Sequence, residues 1–421
     1  MRIAFFSPHS DPLAAPGQPD SGGQCTYERE VALHLARLGY EVRVFTRLWG
    51  LGAPREPIAE SATVYRYPMG PAGFLRKEDM GPYLPQFTAA VIADQLEWLG
   101  TADVFHGHYW DGGVCAAAAG LSLGKPMVFT AHSLGALKRD RLPDSDPDGA
   151  VFRYAVRIAA ERRILGAADA AIALGQVERD ALVQRYACDP AKIAVIPGGV
   201  DLSAFRRCDD KARLQRRLGF ATDFVLLTVG RLDPRKGFLE LMEAIPRVLR
   251  ELADAGKSAT FLMPLGSEPA APEEAAYRVR LVERAKALGI EPAIHWFPRL
   301  SDEDLRQYYS AADLFLCPSP YEPFGLVLVE AFASGTPVVA TPHGGPSEIV
   351  SSGEDGYLAD PRRPAEFASA ILRALLVSAA DRRRMQQAAF AKAKRLYAWE
   401  SVAARIAERY SRLASEAGHA P

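Results

Sequence analysis

Short β-branched and aromatic runs alternate along the chain with Ala-, Leu- and Arg-rich stretches whose apolar residues recur at helical spacing. In the first half, the apolar runs at residues 3–7, 41–47, 64–68, 103–108, 127–132, 170–174 and 193–197 each predict a strand. Helical patterns over 24–38, 87–99, 151–165 and 176–186 fall between several of them. Strands that alternate with helices predict βαβ units, hence a mainly parallel sheet covered on both faces. The alternation restarts after about residue 203, behind the polar segment 201–210. Strands are expected there at 224–229, 259–265, 294–297, 314–318 and 337–340, with helices at 239–252, 274–288, 302–311 and 325–333. An amphipathic stretch over 399–413 predicts one more helix. The expected fold class is α/β, with two Rossmann-like doubly wound domains facing a central cleft. The first spans residues 1–203 and is completed by the C-terminal helix 398–421; the second spans 204–397.

A length of 421 residues suits two or three domains rather than one. Apolar residues at 48% and charged residues at 24% are the composition of a globular protein. The 50 Lys and Arg against 51 Asp and Glu argue against a nucleic-acid binder, whose domain carries a basic excess. No apolar run is long enough to span a bilayer, and the N-terminal run 3–6 is too short for a signal-peptide core. Cys25, Cys115, Cys188, Cys208 and Cys317 are scattered and never in C-x-x-C spacing. Neither a disulfide framework nor a cysteine-based zinc site is expected, and a reducing cytoplasm fits.

In open α/β sheets, ligands bind beyond the carboxyl ends of the strands, where loops lead into helices. Four such loops carry unusual chemistry. After the first strand, Gly22 and Gly23 precede a helix, so the backbone can approach a ligand closely and offer N–H groups to an anion. In the segment 230–237, Arg231 ends a strand and Lys236 stands just before a helix. A guanidinium fork beside a lysine point charge suits a diphosphate. Glu322, Pro323, Phe324, Gly325 and Leu326 follow the strand 314–318, and Glu330 comes one to two turns later. That spacing offers helix-start amides and two carboxylates, which accept hydrogen bonds from sugar and ribose hydroxyls. Glu330 stands among Leu328, Val329, Ala331 and Phe332, and a carboxylate buried there needs a partner. His132 closes the fourth loop, at the end of the strand from residue 127. Taken singly, each has a plainer explanation: a turn, solvated loop charges, a surface helix residue, a structural histidine.

Together these residues resemble the retaining glycosyltransferases of family 4, with the GT-B fold of two Rossmann-like domains. The resemblance covers nearly the whole chain and rests on the order of the Gly22-Gly23 loop, Arg231…Lys236 and the E-x7-E signature from Glu322 to Glu330. It implies that Arg231 and Lys236 hold a nucleotide diphosphate and stabilise its charge as it leaves. Glu330 would accept from the ribose hydroxyls; Glu322 and the Phe324, Gly325 and Leu326 amides would grip the donor sugar; His132 would contact its 6-hydroxyl region. Arg299 and Leu300 match the loop that meets the base. The implied co-substrate is a nucleotide-diphosphate sugar, UDP-glucose or GDP-mannose, and no cofactor is required.

The N-terminal half looks most similar to sucrose-phosphate synthases and related enzymes that glycosylate sugar phosphates. The matching stretches are His108-Tyr109, His132-Ser133-Leu134-Gly135 and Gly70-Pro71 with Lys77-Glu78. In those relatives a basic pocket in the first domain binds the acceptor's phosphate. The matching positions here are Lys77, Tyr109, Ser133, Lys138 and Arg157, with Gln24 near the acceptor sugar. Two departures stand out. Trp110-Asp111-Gly112-Gly113 after Tyr109 looks more like the relatives that glycosylate inositol phosphate, and Ile196-Pro197-Gly198-Gly199-Val200-Asp201 has the general family-4 form. Fructose 6-phosphate is the first choice of acceptor; inositol phosphate, a lipid, a polysaccharide or another small molecule is the alternative.

Asp144-Ser145-Asp146-Pro147-Asp148 reads as D-x-D twice, a pattern that binds Mn²⁺ or Mg²⁺ in another glycosyltransferase fold. Its Pro-rich setting before a helix is better explained by turn chemistry and helix N-terminal acids. His106 and His108 share a strand face, but no third ligand is evident, so no essential metal is expected. Basic residues crowd the segment 381–412; a solvated face over a packed apolar side is expected there, rather than membrane association. The expected partners are a small-molecule donor and acceptor, with the oligomeric state open. A non-catalytic nucleotide-sugar-binding module is a remote alternative, disfavoured because Arg231, Lys236, Glu322, Glu330 and His132 are all present. No G-x-G-x-x-G follows the first strand, which disfavours a dinucleotide-dependent oxidoreductase.

Overall fold

The computed structural model describes residues 1–14, 22–50, 52–142, 151–266, 270–416 and 418. The chain forms two compact units: Met1–Gly198 with Trp399–Pro421, and Gly199–Ala398.

The strands of the first unit are β1 (Arg2–Phe6), β2 (Glu41–Leu48), β3 (Arg55–Ala59), β4 (Ala62–Pro68), β5 (Val104–His108), β6 (Met127–Thr130), β7 (Ala170–Ala173) and β8 (Ile193–Val195). They form one sheet in the order β3-β4-β2-β1-β5-β6-β7-β8. All neighbours run parallel except the edge pair β3–β4. In β1, Ile3, Ala4, Phe5 and Phe6 are all buried, as a central parallel strand with both faces covered requires. The helices are α1 (Gly23–Arg37), α2 (Leu84–Thr101), α3 (Tyr109–Leu123), α4 (Gly135–Arg141), α5 (Tyr154–Ala167) and α6 (Gln176–Tyr186). Strand order reverses between β1 and β5, so the loops leading to α1 and α3 flank the crevice that such a sheet leaves for ligands.

In the second unit, β9 (Phe224–Leu227), β10 (Ala259–Pro264), β11 (Ile294–Phe297), β12 (Leu314–Cys317), β13 (Val338–Ala340) and β14 (Gly356–Leu358) form an all-parallel sheet in the order β11-β10-β9-β12-β13-β14. Its switch point lies between β9 and β12. The helices are α7 (Lys211–Arg217), α8 (Phe238–Asp254), α9 (Pro272–Ala287), α10 (Asp302–Ala311), α11 (Leu326–Ala333), α12 (Pro346–Ile349), α13 (Pro364–Leu375) and α14 (Ala379–Leu396). α8 illustrates the packing: Phe238, Leu241, Met242, Ile245, Val248 and Leu252 recur at helical spacing and all are buried.

The hydrophobic pattern did not announce every element. β3 is short, largely exposed and carries Pro57, features tolerated on an edge strand and silent as a periodic signal. α3 is apolar around most of its circumference, so it has no amphipathic stripe. Its Gly112 explains the close fit, because a Cβ there would stand 2.0 Å from the Phe6 carbonyl oxygen. No element was predicted between residues 341 and 378, where α12, β14 and α13 lie.

α15 (Trp399–Glu416) belongs to the first unit. Trp399, Val402, Ala403, Ile406, Tyr410 and Leu413 are buried, and the Tyr27 ring meets Trp399 edge-on at 5.7 Å. Two cations of the basic tail are engaged within the fold. Arg405 donates to the Val195 carbonyl and Arg409 to that of Lys192, at 2.5 and 3.2 Å. Among the described residues, no helix is long and apolar enough to cross a membrane.

Candidate active site

In the second unit, two loops meet at the carboxyl ends of β9 and β12. Asp233 caps the turn Pro234–Lys236, accepting from the Arg235 amide at 2.9 Å and from the Arg235 guanidinium. The next residue, Gly237, has φ 72°, and a Cβ on it would lie 1.9 Å from the Pro318 carbonyl oxygen. Only glycine lets this loop lie against the end of β12. The consequence is an ion pair across the two loops, with Lys236 Nζ 2.8 Å from Glu322 Oε2. Burial alone would lower the Lys236 pKa, but Glu322 outweighs it and the ammonium is held above its ordinary range. The Arg231 side chain is exposed and donates to no described residue.

Glu322 is held by its backbone as well. Its N–H donates to the His343 carbonyl at 3.2 Å, and its carbonyl accepts from Gly345 at 3.0 Å. A Cβ on Gly344 would sit 2.1 Å from the Glu322 carbonyl oxygen, and one on Gly345 2.2 Å from that of Phe324. Sequence reasoning missed this His343-Gly344-Gly345 loop. The signal was present, since a Gly-Gly pair after a strand was the criterion that singled out Gly22 and Gly23. Gly325 starts α11 with φ 101°, and the amides of Phe324, Gly325 and Leu326 donate to no described group. They form a ready anion or hydroxyl site.

Glu330 lies within α11, where its Oε2 accepts from the Tyr309 hydroxyl at 2.8 Å. Burial pushes its pKa up to about 7, and the Tyr309 bond pulls the other way. Arg299 is exposed and Leu300 half-buried in the loop after β11.

In the first unit, Gly22 caps α1, Gly23 is its first residue and Gln24 its second. The Gln24 amide donates to Glu28 Oε1 at 2.8 Å and to Ser7 Oγ at 3.3 Å. Three of the expected phosphate-binding residues come together. Arg157 donates to the Tyr109 hydroxyl at 2.6 Å, to Ser133 Oγ at 3.2 Å and to the Ser133 carbonyl. From the sequence Arg157 stood as one of the phosphate-binding cations that the resemblance implies. In the fold it is buried and paired with Glu161 one turn along α5, at 2.7 Å. Glu161 in turn accepts from the Gly135 amide and the Tyr186 hydroxyl. Lys77 and Lys138 are half-buried, on a short 3₁₀ turn and on α4.

Sequence reasoning also missed His9 and Asp111. The fully buried Asp111 accepts from the His9 amide and ring Nδ1, both at 2.9 Å, and the imidazole packs on Tyr109 at 4.8 Å. His132 adopts φ 55° just past β6, with Nε2 2.9 Å from His108 Nδ1. Burial holds both imidazoles well below their ordinary pKa, hence neutral. The Asp144–Asp148 acids lie outside the described residues.

Two parallel-sheet α/β units with ligand loops at both switch points define a GT-B-type glycosyltransferase. Residues 21–204 match Glycosyltransferase Family 4, and residues 210–392 match Glycosyl transferases group 1. A D-inositol 3-phosphate glycosyltransferase of Actinosynnema mirum is 37% identical over 385 residues, covering 89% of each chain. One from Geodermatophilus obscurus is 36% identical, covering 99% of this chain and 90% of its own. Among solved structures, a sucrose-phosphate synthase from Thermosynechococcus elongatus superposes with a TM-score of 0.87 at 28% identity, over 99% of both chains. The chain belongs to the family 4 glycosyltransferases.

Proposed function

We propose that this enzyme moves a hexosyl group, with retention of configuration, from a nucleotide-diphosphate sugar to a phosphorylated polyhydroxy acceptor. The second unit takes the donor: Arg231 and Lys236 on the diphosphate, Glu330 on the ribose, Arg299 and Leu300 by the base. Glu322 and the amides of Phe324–Leu326 take the donor sugar, with His132 at its 6-hydroxyl region. The first unit takes the acceptor: Lys77, Tyr109, Ser133, Lys138 and Arg157 on its phosphate, and Gln24 on a hydroxyl. The observation that carries this reading is the Tyr109–Ser133–Arg157 cluster, a preorganised set of hydroxyls around a guanidinium. A lipid or polysaccharide acceptor has no use for it.

The bond from the anomeric carbon to the diphosphate breaks while the acceptor oxygen attacks from the same face. The departing phosphate oxygen takes the acceptor's proton. Glu322, held by Lys236, serves in hydroxyl binding rather than as a covalent nucleophile. Positioning, and cations matched to the charge that builds on the leaving group, supply the acceleration.

For the acceptor, fructose 6-phosphate is favoured by the likeness to the sucrose-phosphate synthase, and inositol phosphate equally by the relatives above 35% identity. Trp110 and Asp111 after Tyr109 lean to the second. The test crosses UDP-glucose, GDP-mannose, ADP-glucose and UDP-GlcNAc with fructose 6-phosphate, inositol phosphate and their dephosphorylated forms, reading nucleotide diphosphate release. Phosphorylated acceptors should win by orders of magnitude. Equal use of the unphosphorylated forms would refute the phosphate pocket.

A further inference from the structure

His106 and His108 stand on one face of β5, with ring centroids 4.0 Å apart, yet their surroundings differ. Both nitrogens of His106 are engaged, Nδ1 with the Tyr410 hydroxyl and Nε2 with Thr130 Oγ1 at 2.8 Å. His108 reaches toward the site instead. Its Nδ1 lies 2.9 Å from Nε2 of His132, whose backbone is held at φ 55° just past β6. Two neutral imidazoles that share one hydrogen bond keep one N–H and one lone pair between their two outer nitrogens. Those outer atoms are His108 Nε2, buried without a partner, and His132 Nδ1, which makes no hydrogen bond to a described residue. Which of them holds the N–H decides whether His132 donates to a ligand or only accepts.

Glu28 sets the direction. One polar side-chain atom from each of Glu28, His108 and His132 lies within 4.8 Å of the other two. Glu28 Oε1 accepts from Ser7 Oγ at 2.7 Å and from the Gln24 amide at 2.8 Å, while Oε2 is buried and unpartnered. Both donors are neutral, and the charges that act on the carboxyl, Asp111 and Asp11, share its sign. Burial without a cation therefore keeps this group protonated. Because Oε1 already takes two hydrogen bonds, the acid hydrogen sits on Oε2. It reaches the lone pair of His108 Nε2 directly or through one buried water, and the polarity of the chain is the same in both cases. The Phe5 ring covers His108 edge-on at 4.7 Å and offers no alternative acceptor or donor.

We propose that Glu28 and His108 are positioning residues that lock His132 in its Nδ1–H tautomer. Glu28 Oε2–H donates toward His108 Nε2, and His108 Nδ1–H donates to His132 Nε2. That leaves His132 Nδ1–H as a neutral donor at the half-buried end of the chain. The opposite polarity would aim the His108 Nε2–H at the acid hydrogen, donor against donor. No proton is transferred, so the chain orients and does not relay. This inference rests on the proposed function, in which His132 stands at the 6-hydroxyl region of the donor sugar. A fixed N–H there selects sugars with an oxygen on C6, because a 6-deoxy sugar leaves the donor unmet. The sequence concealed the set, because Glu28 and His132 lie on α1 and past β6 rather than on β5.

The tautomer is read without substrate. Full-length protein labelled with ¹⁵N-histidine is examined by long-range ¹H–¹⁵N correlation near neutral pH, with His108→Gln and His132→Gln variants to assign the rings. Both rings should show a protonated Nδ1 and a bare Nε2, the form that free histidine disfavours. Glu28→Gln, whose amide N–H replaces the acid hydrogen, should keep that form, and Glu28→Met should release the pair to Nε2–H. An Nε2–H form in wild-type protein, or Nδ1–H retained in Glu28→Met, would overturn the proposal; the wild-type spectrum decides even where Glu28→Met fails to fold. In transfer assays Glu28→Met should lower donor kcat/KM by roughly tenfold with a 6-hydroxy donor and leave it unchanged with the 6-deoxy analogue. Glu28→Gln should recover most of the loss. The locked tautomer with an equal loss on both donors would uphold the chain and refute the placement of His132 at the sugar, so the two readings fail separately.

Discussion

Lys236 Nζ lies 2.8 Å from Glu322 Oε2, joining residues 86 positions apart in the sequence. The pair positions both partners. Under the proposed function the charged ammonium meets the diphosphate, and the second carboxylate oxygen of Glu322 meets a sugar hydroxyl. Lys236→Met should lower kcat/KM by about 10²–10³-fold, the usual scale for removing one group that meets charge developing in the transition state. Glu322→Gln should cost activity too, and the double variant should lose less than the sum, because each single change disables the same pair. Steady-state kinetics on the four proteins decide it; additive losses would mean that the two groups act separately.

With Glu330 on the ribose as proposed, its carboxyl, lifted by burial to about 7, should make nucleotide binding pH-dependent. Protonated, it cannot accept from two ribose hydroxyls. Affinity for the nucleoside diphosphate should therefore weaken as pH falls through about 7, and Glu330→Gln should remove that dependence. The same shift acts on folding with the opposite sense. A carboxyl whose folded pKa is raised from 4.5 binds its proton more tightly when folded. Its stabilising share is complete below 4.5 and is lost as pH rises through about 7. Calorimetric titrations and chemical denaturation across that window test both.

Arg157 and Lys77 should fail in different ways. Arg157→Met strips the buried Glu161 carboxylate of its cation, which costs about 3–5 kcal/mol and lowers Tm, with partial rescue by Glu161→Gln. Lys77→Ala combined with Lys138→Ala should raise the acceptor KM while the donor KM and Tm stay near wild type. An unchanged acceptor KM would remove both lysines from the phosphate pocket.

Gly344→Ala should damage the site from outside it. Gly344 has φ 95°, and its new Cβ would meet the Glu322 carbonyl oxygen. The loop must shift and carry Glu322 away from Lys236, so both Tm and kcat should fall, with UDP binding less affected than transfer.

In the proposed reading, Arg231 and Lys236 meet the diphosphate's charge without a metal ion. Exhaustive EDTA treatment should leave the transfer rate unchanged. Loss of turnover that Mg²⁺ or Mn²⁺ restores would refute this.

The two βαβ series were legible because buried parallel strands are apolar on both faces and their helices are striped. Loop residues of the second unit were legible too: Arg231, Lys236 and Glu322 follow strand ends, and Glu330 keeps a fixed spacing from Glu322 inside α11. β3 and α3 were not, since an exposed edge strand and an evenly apolar helix lack the periodicity that betrays their neighbours.

The sequence by itself determined the parallel α/β class and the glycine positions where only a missing Cβ permits the fold. It also determined which residue types crowd the strand ends. Tertiary structure alone decided how those residues pair. It set Lys236 on Glu322, matched Arg157 with Glu161, held His9 on Asp111 and left Glu28 and His108 each with an unpartnered buried atom. The reason is physical: local pattern follows the repeat of one helix or strand, whereas a buried charge or hydrogen bond is satisfied by whatever the crossover connections bring alongside.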